Sequence, residues 1–266
     1  MSAVNKLIIG QYLPLDSFVH RLDPRTKLLG AIWFVAIIFL ARTWQSYAVL
    51  GLFVLLGMYL SAIPVSYFIR GVKPLLFLIL FTTALQIFFT PGGEIIFQLG
   101  FIKITDQGLI QAAFIFVRFL LIIFMSTLLT LTTMPLAIAD GLESLMQPLA
   151  KIKVPVHEIA LILSIALRFV PTLMEEATKI MDAQKSRGAT FGEGKLLDQM
   201  KAIVPLLIPL FINSIDRAEE LAIAMTARGY KDGEGRTKYR KITYTRLDMY
   251  TLIGFCTLTI LLWVMR

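Results

Sequence analysis

From Leu109 to Thr133 the chain carries a single charged residue, Arg118. A run of this kind is long enough to cross the hydrocarbon core of a bilayer, for which a helix needs about 20 predominantly apolar residues. Backbone polar groups inside a bilayer must be satisfied within the spanning element, so continuous apolar runs specify helices. Four more apolar segments are read as spans, a short one from Leu28 to Ala41, then Ser46 to Ile63, Pro74 to Thr90 and Asp248 to Met265. With 57% hydrophobic and 17% charged side chains and a mean hydropathy of +0.74, the chain reads as a polytopic membrane protein. The expected fold class is all-α, with about five transmembrane helices and a cytoplasmic domain of amphipathic helices.

The charges divide the chain by side. Lys6, Arg21, Arg25 and Lys27 precede the first span, Arg70 and Lys73 separate the second from the third, and 16 of the 26 Lys and Arg residues fall in 134–247. Only Arg42 and Lys103 lie in loops on the other side. Basic residues accumulate on the cytoplasmic face, so the organisation predicted is a cytoplasmic N-terminal segment (1–27), a four-span region (28–133), a cytoplasmic or interfacial domain (134–247) and a C-terminal transmembrane helix (248–266). Residues 1–27 lack the apolar core and small-residue cleavage site of a signal peptide. The asymmetry also accounts for the net charge of +8 without nucleic acid, for which no aromatic and basic interleaving is present.

Within 134–247 prolines recur at 148, 155, 171, 205 and 209, and the apolar runs Ile159 to Leu167 and Ala202 to Ile212 are about half the length of a span. They fit interfacial or re-entrant packing better than independent spans, and a topology with extra short spans stays open. Two amphipathic helices are expected around them. After Pro171, Val170, Leu173, Ala177 and Ile180 recur at steps of three and four, with Glu175, Glu176, Lys179 and Asp182 on other faces. Glu175 and Lys179 have the spacing of a supporting ion pair. Further on, Phe211, Ile215, Ala218, Ala222 and Met225 repeat the pattern opposite Asp216, Arg217, Glu219 and Glu220.

Both helices end on the same word, Ser186-Arg187-Gly188 and Ala227-Arg228-Gly229. Laying these ends together also superposes Glu175 on Asp216, Ala177 on Ala218 and Ala183 on Ala224. Capping explains one copy: Arg complements the negative helix end and Gly supplies the left-handed residue that stops it. Two copies at matched positions point further, since a guanidinium at a helix tip is a rigid fork of donors suited to a protein groove.

Other chemistry is poorly supported. Gly188 to Lys195 superficially resembles a phosphate loop, but the glycine spacing is one residue too long and Leu196 replaces the required Ser or Thr. His20 and His157 have no Cys or carboxylate cluster beside them, and Cys256 lies in an apolar run, so neither a metal site, a Ser-His-Asp site nor a disulfide is expected. Arg118, near the middle of a span, is a functional hypothesis by default. Snorkelling or capture by Thr82, Thr83 or Gln86 would explain it blandly, and bracing of the bundle is the modest functional reading.

The string Ser17-Phe18-Val19-His20-Arg21-Leu22-Asp23-Pro24-Arg25-Thr26-Lys27-Leu28 is by physics a turn with cytoplasmic anchors. Placed ahead of the first span, and followed by two Arg-Gly-terminated helices, it resembles the transmembrane T component (EcfT) of energy-coupling factor vitamin transporters, a family that includes the CbiQ-like cobalt-transport subunits. The resemblance implies a non-catalytic scaffold of an ABC importer in a prokaryotic cell membrane. It would join two cytosolic ABC ATPase subunits (EcfA and EcfA'), which use ATP and Mg, to an exchangeable membrane S component that binds a vitamin or metal. The chain itself would hold no cofactor and no metal. Carried over, the ATPase-docking residues are Ser186, Arg187, Gly188, Ala227, Arg228 and Gly229, the first motif departing from the commoner Ala-Arg-Gly by its Ser. The apolar faces of these crossing coupling helices, with 136–149 and 159–170, would form the groove for the S component. The flanks differ, Lys185 and Ala189 against Thr226 and Tyr230, which hints at unlike docking sites. The alternative, a self-contained permease, predicts polar groups converging at mid-membrane, and the spans offer only Arg118 and scattered Thr and Gln. An intramembrane enzyme would need paired His, Glu or Asp in the spans, and there are none.

Overall fold

The computed structural model describes residues 12–90, 92–99, 102–152, 154–189, 191, 196–230 and 243–265. Residues 1–11 of the N-terminal segment, Pro91 of the expected turn and Lys195 of the loop weighed above lie outside them. The chain divides into two compact units, one comprising 1–145 with 241–266 and the other 146–240.

The first unit is helical. Its helices are α1 (Pro24–Ile37), α2 (Trp44–Ser61), α3 (Val65–Val72), α4 (Leu76–Phe89), α5 (Asp106–Thr132), α6 (Pro135–Met146) and α9 (Arg246–Val264). Its core is a file of fully buried side chains, Phe34 of α1, Ile38 just after it, Leu50 of α2, Phe68 of α3 and Leu262 of α9. Around that file the exterior is as apolar as the interior: Phe77 is 80% and Phe89 78% exposed, an arrangement only lipid can cover. Small residues set the close approaches. A Cβ on Gly30 would meet the Phe255 ring of α9 at 2.7 Å, and one on Gly141 would meet Leu28 at 3.0 Å and Pro24 at 3.3 Å.

Among the described residues, five helices are long and apolar enough to cross a membrane: Trp44–Ser61, Val65–Phe89, Asp106–Thr132, Val156–Ser186 and Arg246–Val264. The fold class is the expected one, and the number five agrees. Its membership does not. The first expected span falls short, because α1 and the 3-10 turn Ile38–Leu40 that follows it end within 17 residues. The third is longer than read, because helix continues from Val65 to Phe89 through a 3-10 turn at Lys73–Leu75, with Pro74 in its first turn. Between α4 and α5 the chain forms a small antiparallel hairpin, β1 (Ile95–Leu99) with β2 (Ile102–Thr105), bulged between Ile95 and Phe97. Thr105 then caps α5, its Oγ1 accepting the Gly108 N–H at 3.1 Å.

The second unit holds α7 (Val156–Ser186) and α8 (Leu196–Ala227). Each absorbs a run that sequence reading kept separate: α7 passes unbroken through Pro171, and α8 through Pro205 and Pro209. Proline forfeits one backbone bond and bends a helix, but each of these helices persists around it.

Candidate functional site

The two Arg-Gly ends adopt one geometry. On α7 the N–H of Gly188 donates to Lys185 O at 3.0 Å and that of Ala189 to Gln184 O at 3.0 Å. On α8 the N–H of Gly229 donates to Thr226 O at 2.9 Å and that of Tyr230 to Met225 O at 2.9 Å. These are paired Schellman closures, which require a left-handed residue, and Gly188 and Gly229 have φ of +89° and +73°. No heavy atom lies within 4 Å of a Cβ built on either. Within this chain, therefore, backbone conformation is the reason for glycine. The adjoining arginines are a different matter. Arg187 and Arg228 are exposed, and among the described residues neither guanidinium has a hydrogen bond or ion pair.

α7 and α8 meet at a polar knot. The Glu176 carboxylate accepts Asn213 Nδ2–H at 2.6 Å and pairs with Arg217 at 3.5 Å, while the Arg217 guanidinium lies 5.9 Å from the Phe169 ring centre. Overlaying the two Arg-Gly ends superposes Glu176 on Arg217, so the ion pair joins equivalent positions of the repeat. Glu176 precedes Arg187 by eleven residues and Arg217 precedes Arg228 by the same eleven, about 16 Å of helix on each side.

The expected stripe on α8 is largely exposed, Phe211 at 67% and Ile215 at 51%, with Met225 half-buried; Leu206, Leu210, Asn213, Ser214, Arg217 and Leu221 are half-buried as well. One sequence reading of this unit needs correction. Among the described residues Glu175 and Lys179 form no ion pair; the local pair on α7 is Lys185 with Asp182 at 3.6 Å.

The N-terminal string, by contrast, is consumed by the fold. Asp23 caps α1 by accepting the Arg25 N–H at 2.8 Å, with Pro24 in the first turn. Its own N–H donates to the buried Asp248 carboxylate of α9 at 2.8 Å, and that carboxylate also accepts the Thr245 N–H at 2.7 Å and hydroxyl at 2.6 Å. Lys27 Nζ reaches Thr132 O at the end of α5 at 2.9 Å and His20 O at 3.2 Å. Burial drives its pKa down to about 8, against the opposing pull of Asp248 and Asp23. His20 Nε2–H donates to Leu13 O at 3.0 Å, a partner that can only accept, so Nδ1 accepts from Ser17 Oγ at 2.7 Å. Burial lowers the His20 pKa and favours this neutral ring. Three helix ends are thus locked by one turn, and its key partner, Asp248, gave no signal in sequence beyond opening a span.

Arg118 is also placed differently from expectation. Its Nε and Nη2 donate to the Tyr47 hydroxyl of α2 at 3.1 and 2.7 Å, and the guanidinium lies 5.1 Å from the Phe39 ring centre. The expected captors are engaged elsewhere: Thr82 and Thr83 bond to carbonyls of their own helix, and Gln86 donates to Thr90 and Gln111. Tyr47 escaped notice because a tyrosine in an apolar run reads as membrane-facing bulk. Among the described residues no group of His, Cys, Asp or Glu could hold a metal ion.

Comparison with known proteins places this architecture. Residues 16–239 match the CbiQ family model, described as cobalt transport protein. The energy-coupling factor transporter transmembrane protein EcfT of Lacticaseibacillus paracasei is 55% identical over 263 residues, covering 99% of this chain and 100% of the relative. That of Lactococcus lactis is 55% identical over 97% of each chain, and that of Bacillus subtilis 52% identical over 99% of each. The chain therefore belongs to the EcfT family and is a non-catalytic, multi-pass T-component scaffold of a bacterial energy-coupling factor transporter.

Proposed function

We propose that Arg187 and Arg228 are the grips by which this scaffold engages two cytosolic ABC ATPase subunits (EcfA and EcfA'), with Ser186, Gly188, Ala227 and Gly229 shaping the tips. The observation that carries the reading is that two guanidinium groups, on ends closed by the same backbone motif, are exposed and, among the described residues, without a hydrogen bond or ion pair. A rigid fork of donors in this state is matched by carboxylates or carbonyls of a groove in another protein. The tips are assigned to the cytoplasm by the basic bias of 134–247, which also makes the N-terminus cytoplasmic and 134–247 the coupling domain.

The exposed apolar face of α8, with 136–149 and 159–170, is assigned to the membrane S component. Closure of the ATPases on ATP would draw the tips together, and two equal helical arms would carry that displacement past the Glu176 and Arg217 crossing to the face that holds the S component. Co-purification tests the assignment. In Arg187→Glu with Arg228→Glu the protein should remain in the membrane, the ATPase yield should fall at least tenfold and uptake should be lost. Normal recovery of both ATPases with that double variant would end it.

A further inference from the structure

The first unit contains a recess for which ATPase coupling offers no role. Lys27 Nζ bonds to Thr132 O, so the start of α1 and the end of α5 share one level. From there α1 and its 3-10 turn advance about 27 Å, and the fourteen residues of α5 back to Arg118 cover about 21 Å. Arg118 therefore lies beside the last turn of α1, as its contact with Phe39 requires. Although it stands midway along α5, it is level with the polar loop that begins at Arg42. α5 runs on for a further twelve residues, about 18 Å, and the far ends of α4 and α5 remain apolar outside, with Phe89 78% and Ile110 42% exposed. The loop at Arg42 thus forms the floor of a notch in the apolar belt, on the side opposite the N-terminal string.

The notch holds a cleft of about 400 Å³ bordered by Arg42, Gln107, Ile110, Gln111, Phe114 and Arg118. Its polar groups present donors. Arg118 spends Nε and Nη2 on one Tyr47 oxygen, and among the described residues Nη1 has no hydrogen bond. Arg42 is exposed and likewise without a partner among them. Gln111 accepts from Gln86 through Oε1 at 3.1 Å, which leaves its amide N–H groups to donate. Among the described residues no carboxylate lines the cleft. Two cations and the side-chain amides of Gln107 and Gln111 around a space of this size suit an anion with several acceptor oxygens. The surroundings select its source: Phe39, whose ring centre lies 5.1 Å from the Arg118 guanidinium, is 59% exposed, and Trp44, whose ring centre lies 4.6 Å from that of Phe114, is 54% exposed, surfaces that acyl chains cover and a free ion does not.

We infer that this cleft binds the phosphodiester headgroup of a membrane phospholipid between Arg42 and Arg118, drawing the headgroup layer toward the short end of α1 and α2. Bilayers meet a short hydrophobic element by local thinning, and the bound headgroup fixes that thinning at one place on the scaffold.

The test uses the full-length chain, delipidated in detergent and titrated with phosphatidylglycerol under native mass spectrometry. Arg42→Gln is the main variant, because it leaves the Arg118 bond to Tyr47 intact. It should weaken retention of one phosphatidylglycerol about tenfold with an unchanged melting temperature, and Arg42→Lys should recover most of the loss. A phosphate-free diglucosyl diacylglycerol should not be retained at this site, and inorganic phosphate should not displace the phospholipid. Unchanged retention in Arg42→Gln would overturn the inference, as would equal retention of the glycolipid. Displacement by inorganic phosphate would assign the cleft to a free anion and overturn its assignment to lipid.

Discussion

The turn ahead of α1 and the tips of α7 and α8 are built from the same materials, a basic residue beside a conformationally special one, and do opposite things with them. At the turn, Lys27 is buried, two of its donors are spent on carbonyls, and Asp23 is held by Asp248 from 225 residues away. At the tips the backbone is closed while, among the described residues, neither guanidinium has a hydrogen bond or ion pair. The distinctive twelve-residue string therefore builds the scaffold, and the short degenerate word is the one we propose for a partner. Specificity of a sequence pattern measures how many constraints the pattern satisfies, and a fold supplies more constraints than a docking contact.

Substitutions can break this contrast at several strengths. Asp248→Ala should have the largest effect, since it orphans the buried Asp23 N–H and dissolves the Thr245 capping box together. A loss of about 3 kcal/mol is expected, read as a drop in melting temperature and in membrane yield; a normal melting temperature would show that the clamp contributes little.

Next come the single charge reversals. Arg187→Glu and Arg228→Glu should each leave melting unchanged and reduce recovery of the ATPases several-fold. If the differing flanks mean unlike docking sites, each will spare one ATPase, and equal loss of both from either variant would show that the tips act as a unit.

The Lys27 shift predicts a smaller, pH-dependent effect. With its folded pKa near 8 and its ordinary value at 10.5, the unfolded chain holds a proton that the folded chain releases between those values. Stability should therefore rise with pH across that window, and Lys27→Met should flatten the slope. Gly188→Ala and Gly229→Ala should matter least. Each places a Cβ in open space at positive φ, costing about 1 kcal/mol of local backbone strain with slight fraying of the tip by hydrogen exchange and near-normal uptake.

What could be read from sequence was whatever depends on length and neighbours. Membrane class, the two amphipathic helices and their glycine stops follow from runs and periodicity, and the resemblance rested on the N-terminal string. Pairings across the chain were not readable, because nothing local marks Asp248 as the partner of Asp23 or Tyr47 as the partner of Arg118. The prolines misled for a physical reason: each forfeits one backbone hydrogen bond, and α7 and α8 are long enough to continue past Pro171, Pro205 and Pro209 on the bonds that remain. On α8 periodicity found an apolar stripe, but nothing local marked Asn213 and Arg217 as the partners of Glu176 on the neighbouring helix.

The placement of those prolines distributes stiffness. Pro171 precedes the crossing at Glu176, and Pro205 and Pro209 precede the crossing at Arg217. From each crossing to its tip the helix contains neither proline nor glycine. Each helix is thus a jointed strut, pliant on the N-terminal side of its pivot and unyielding on the side that bears the arginine. A push on the tip reaches the pivot without attenuation, and bending is taken up only beyond it.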